Sequence, residues 1–154
     1  MADQKRFAVI QLTQLAWPVS ILLPCRRFRL FVAADTSDLS VDAMSDFASA
    51  ALSGGMVYFS AWGSGCGRFH DVVDEIVIED ELDKRRFVGP TAKDVVMTTW
   101  HEDESLEEAL SFFTTSAVPT EGFADKSDFR LVICVGNPHW AQAADRLLQS
   151  AKSF

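Results

Sequence analysis

The chain has 154 residues, 48% of them hydrophobic and 11% aromatic, which suits one domain of ordinary size and is too apolar for a disordered chain. Fourteen basic against 22 acidic residues leave a net charge of −8. That balance argues against a nucleic-acid partner, because neutralising phosphates takes clustered Lys and Arg. No apolar run reaches the roughly 18 residues that a membrane-spanning helix needs, so no membrane partner is expected.

Residues 1–27 read as an N-terminal extension in which 6–12 can add an edge strand. Lys5 and Arg6 precede a mildly apolar stretch over 15–24 that ends just before Cys25, superficially like a lipoprotein signal. The chemistry fails. Gln11 and Gln14 interrupt the apolar region, Pro18 breaks it, and Pro24 stands where a small residue is required. Cys25, Cys66 and Cys134 are odd in number and widely spaced, which fits free thiols in a reducing, cytoplasmic setting better than a disulfide framework.

Residues 28–34 (FRLFVAA) and 56–62 (MVYFSAW) read as strands, as do 94–100 (DVVMTTW) and 129–135 (FRLVICV). All four are rich in β-branched and aromatic residues, and three are almost continuously apolar, as in strands covered on both faces. Between the first two, Val41, Met44, Phe47, Ala48, Ala51 and Leu52 keep helical spacing, with Ser40 placed to cap the start and Gly54-Gly55 to stop the helix. Residues 75–78 can form a short further strand, while the charged region over 76–93 reads as a solvated turn or short helix with internal ion pairs. Ser105 and Glu108 make a capping box ahead of an apolar stripe at Leu106, Ala109, Leu110 and Phe113. The last helix starts at Asn137-Pro138, a cap followed by a first-turn proline, with Trp140, Ala144, Leu147, Leu148 and Ala151 on its buried face.

Strand–helix alternation points to a single three-layer α/β domain of Rossmann-like or flavodoxin-like architecture. A mostly parallel sheet of four to six strands carries helices on both faces. Ligands of such sheets bind beyond the carboxyl ends of the strands. Asp35 falls there, as do Gly63, Gly65, Cys66, Gly67, Arg68 and His70, then His101 with Glu102-Asp103-Glu104, and finally Asn137 and His139. All three histidines follow a predicted strand.

The glycines at 63, 65 and 67 lack the dinucleotide spacing, since position 68 is Arg68, and no P-loop motif occurs. NAD, FAD and ATP are therefore disfavoured. A backbone anion nest with Arg68 remains open, beside the plainer reading of a turn that needs positive φ. Cys66 and His70, four apart, would share a helix face, and His101 could approach from a neighbouring strand end. Such a set could act as a thiolate–imidazole pair or hold zinc with one position open. Glu102-Asp103-Glu104 reads most simply as negative charge at a helix N-terminus, and Trp62 and Trp100 as strand-end aromatics able to wall a pocket.

Two function classes follow. The preferred one is a non-catalytic acidic module of adaptor or immunity type, which takes a protein with a basic surface or a small ligand at the sheet edge. The other is a small hydrolase-like enzyme, zinc-assisted or not, built on Cys66, His70 and His101.

Overall fold

The structure is a computed structural model and describes residues 6–18, 21–88, 95–120 and 129–151. Five strands form one all-parallel sheet: β1 (Phe7–Leu12), β2 (Phe28–Ala33), β3 (Met56–Trp62), β4 (Met97–His101) and β5 (Arg130–Val135). Their order across the sheet is β1-β5-β2-β3-β4. Among the described residues, four helices connect or follow them: α1 (Val41–Ser53), α2 (Cys66–Val88), α3 (Leu106–Thr115) and α4 (Pro138–Ala151). This is the three-layer α/β architecture expected of a Rossmann-like or flavodoxin-like fold.

The alternation of side chains along each strand builds two cores. Phe28, Leu30 and Val32 of β2 point to one face with Phe59, Ala61, Leu131 and Ile133, where α1 supplies Met44 and Phe47 and α2 supplies Phe69 and Val73. Phe31 and Ala33 point to the other face with Tyr58, Val132 and Cys134, where α3 supplies Leu110 and Phe113 and α4 supplies Ala144 and Leu148. The central strand β2 is buried at every position, which is why, Arg29 apart, its sequence runs apolar without alternation.

Helix ends follow local chemistry. The Ser40 hydroxyl accepts from the Ala43 amide, and the Ser105 hydroxyl accepts from the Glu108 amide while donating to the Glu108 carboxylate. Two expectations change. Residues 75–78 lie inside α2, not in a strand: Val73 and Val77 are one helical turn apart and both buried, so the 3.6-residue period overrides the local β-branched run. The charged region is likewise the second half of the same 23-residue helix as far as Val88. Of the expected 94–100 strand, residue 94 lies outside the described residues, 95 and 96 are not in the strand, and β4 runs Met97–His101. None of the described helices is long and apolar enough to cross a membrane.

Candidate functional site

The chain runs β2, β3, β4 toward one edge and then returns to place β5 between β2 and β1. The loops after β2 and β3 lead to helices on one face, and those after β4 and β5 to helices on the other. They part over the carboxyl edge of the sheet and leave a cleft there of about 560 Å³. Asp35 follows β2, Trp62, Gly63, Ser64 and Gly65 end β3, His101 to Glu104 end β4, and Trp140 comes from the first turn of α4.

Close backbone contacts hold the loops together. Thr36 donates its amide to the Ser64 carbonyl at 2.8 Å, and Ala34 donates to the Trp62 carbonyl at 3.0 Å. Gly63 has φ +115, and a β-carbon there would lie 2.1 Å from the Ala34 carbonyl oxygen, so only glycine lets the two loops meet. The Trp62 indole donates to the Glu104 carbonyl at 2.8 Å and stacks edge-on against Trp140 with centroids 5.1 Å apart. Asp103 adopts a left-handed φ of 60, a conformation its short polar side chain tolerates, and the chain then turns into the Ser105 cap.

The cleft is electronegative. Its lining includes four carboxylates (Asp35, Glu102, Asp103 and Glu104), one imidazole and neither lysine nor arginine. Asp35 accepts from the Ser37 amide at 3.0 Å, and hydrogen bonding from the Ser37 side chain and backbone holds its carboxyl below the ordinary value. His101 is buried, with Nδ1 2.7 Å from Glu104 Oε2, Nε2 3.2 Å from the Thr99 hydroxyl, and its ring on Phe112.

Of the expected residues, Asp35, Gly63, Gly65 and His101 line this cleft. Cys66, Gly67, Arg68, His70 and Asn137 do not. Cys66, the first residue of α2, is buried in the core, and burial, opposed by a backbone hydrogen bond from His101 and reinforced by the Glu102 charge, pushes its thiol up. His70 faces the opposite side of β4 from His101. Its Nε2 is 3.0 Å from the Thr98 hydroxyl, its Nδ1 3.1 Å from Asp71, and its ring rests on Trp100. Asp74, one helical turn on from His70, shares the same hydroxyl, which donates to it at 3.1 Å.

The expected Cys66–His70–His101 convergence therefore does not form, although β3 and β4 are neighbours as the expectation required. No three His, Cys, Asp or Glu side chains among the described residues are grouped to hold a metal ion, and the zinc reading loses its ligand set. Arg68 donates to the Thr36 carbonyl at 3.3 Å, and Asn137 accepts from the His139 amide at 2.9 Å. Both are local fasteners.

Sequence reasoning passed over Glu102, Asp103 and Glu104 as helix-terminal charge. They precede the cap and line the cleft, while the acids of the first turn of α3 are Glu107 and Glu108. Trp140 is half-buried against Trp62 rather than set in the core, and Trp100 stands half-exposed with His70 instead of walling the cleft. The signal was present as four consecutive ionisable residues directly after a strand.

Fold and cleft together define an α/β domain with an acidic, tryptophan-walled site at the carboxyl edge of a parallel sheet. A family model described as a domain of unknown function (DUF7684) matches residues 9–151, and the chain belongs to that family. Neither a curated protein nor a solved structure matches the chain.

Proposed function

We propose that the protein is a non-catalytic binding module whose cleft takes a cationic group, foremost an arginine or lysine side chain presented by a basic protein partner. The observation that carries this reading is the lining itself: four carboxylates and two indoles converge there without a lysine or arginine. Carboxylates attract the cation and accept its hydrogen bonds, and indole faces add cation–π attraction of about 0.5–2 kcal/mol. The overall charge of −8 steers such a partner from a distance. Catalysis by a small Cys/His enzyme has less support. The Cys66 thiol lies in the core, and Nε2 of His101 is occupied by Thr99 rather than turned to a substrate.

Chemical-shift mapping with ethylguanidinium, and with Arg-rich and Glu-rich peptides, tests the proposal. Saturable shifts at Trp62, Trp140 and residues 101–104 with the cations, weakened by salt and by Asp35→Asn, are expected. A preference for the Glu-rich peptide, or cation shifts scattered outside the cleft, would reject it. Shifts with ethylguanidinium but not with the Arg-rich peptide would point to a small organic cation in place of a protein.

A further inference from the structure

A line of hydroxyl groups runs under the cleft and ends in it. Ser60, fully buried on β3, lies 2.9 Å from the Thr99 hydroxyl. Thr99 is 3.2 Å from His101 Nε2, and His101 Nδ1 is 2.7 Å from Glu104 Oε2.

Donor counting orients this chain. A carboxylate only accepts, so Nδ1 carries a hydrogen toward Glu104. In the neutral imidazole Nε2 must then accept, and Thr99 gives it its single hydrogen. That leaves the Thr99 oxygen to accept from the Ser60 hydroxyl. Every hydrogen in the chain points the same way, toward Glu104. We infer that His101 is the positioning residue of the cleft: the ordered chain from Ser60 through Thr99 and His101 fixes one oxygen of Glu104 and leaves the other to a bound cation. This rests on the cation-binding reading of the cleft.

A consequence separates positioning from mere packing. A side chain that offers an N–H at the place of Nδ1 should hold the Glu104 oxygen as His101 does, whereas one that only leaves or fills the space should not. The other carboxylates of the cleft, Glu102 and Asp103 on the same loop and Asp35 across the cleft after β2, remain in every such variant.

The test measures ethylguanidinium affinity at neutral pH in the parent, His101→Asn, His101→Ala and Thr99→Val. Asparagine can place an amide N–H near the position of Nδ1. His101→Asn should stay within about threefold of the parent, and His101→Ala should lose about tenfold. Thr99→Val removes the hydroxyl that orders the ring and should also weaken binding. Asparagine and alanine behaving alike, or Thr99→Val binding as tightly as the parent, would overturn the inference. Should the parent bind no cation, the cleft reading falls, and the chain is judged separately by nitrogen NMR of the His101 ring: a hydrogen on Nδ1 supports it, and a neutral ring with its hydrogen on Nε2 overturns it.

Discussion

Thr98 and Thr99 are adjacent in β4, and each holds a different histidine: Thr98 binds His70 on the α2 side of the sheet, and Thr99 binds His101 on the α3 side. Successive strand residues face opposite ways, so one residue of register decides that two imidazoles near one strand end never meet. Neither histidine is placed as a base for Cys66, whose thiol is buried and pushed up chiefly by desolvation.

Cys66 should therefore behave as a core thiol. Mass-spectrometric alkylation of the native protein at pH 8 should be slow and become fast only on unfolding, and His70→Ala should leave the rate unchanged. Rapid native labelling that His70→Ala suppresses would restore a coupled thiol–imidazole pair.

How far the sequence discloses the structure depends on the range of the forces involved. The strands at β2, β3 and β5 are legible because burial on both faces leaves continuous apolar runs, and α1 and α3 are legible because their caps are written in Ser40, Ser105 and Glu108. The carboxyl-edge location of the site follows from strand–helix alternation alone. Side-chain direction does not. Whether His70 and His101 converge depends on which face of β4 each meets, and Trp140, on a helix that packs over β1 and β5, reaches the end of β3 only through the length of the two indoles. The β-branched residues at 76–78 resemble a strand until Phe69, Val73 and Val77 are seen packed against the sheet as one helical stripe.

Gly63, in the turn after β3, and Gly67, in the first turn of α2, should respond oppositely to alanine. At Gly63 the positive φ and a contact of 2.1 Å with the Ala34 carbonyl make Gly63→Ala destabilising by roughly 2–4 kcal/mol. At Gly67 the β-carbon would meet Glu102 Oε1 at 3.0 Å, the far end of a side chain on an exposed loop. Relief of helical glycine is worth up to about 1 kcal/mol, so Gly67→Ala should leave stability level or slightly raised while displacing Glu102 and changing cation affinity. Urea unfolding of both variants beside ethylguanidinium titration of Gly67→Ala checks the pair. Equal losses of stability would contradict it.

Arg29 and Arg130 are register partners on β2 and β5, an arrangement that places two cations side by side. The last turn of α3 contains no basic residue. The two arginines supply that charge from the sheet, Arg29 donating to the Ala117 carbonyl at 3.0 Å and Arg130 to the Thr114 carbonyl at 3.1 Å. Burial, with Arg130 beside it, lowers the Arg29 guanidinium to about 10, which still leaves it charged at neutral pH. Arg29→Met keeps most of the stem but leaves the Ala117 carbonyl without this donor, and should cost about 1–3 kcal/mol in denaturant unfolding. Relief of the Arg29–Arg130 repulsion opposes that loss, so a variant as stable as the parent would show that the repulsion cancels the bond.

Alkaline pH should weaken the fold through its buried acids. Cys134 is wholly buried on β5, and desolvation pushes its thiol up to about 12. An unfolded thiol ionises near 8.5. Between these values the unfolded chain has released a proton that the native chain retains, so stability falls as pH rises, by at most about 1.4 kcal/mol per pH unit for this group. Cys66 and Tyr58, both raised chiefly by burial, act in the same direction. The contribution is absent below about pH 8, where the thiol is protonated in both states. Cys134→Ala removes one of the three groups, so its urea midpoint should decline less steeply between pH 8 and 10.5, even though the lost sulfur lowers stability at neutral pH. Parallel midpoint curves for parent and variant would mean that the Cys134 thiol ionises alike in the folded and unfolded chain.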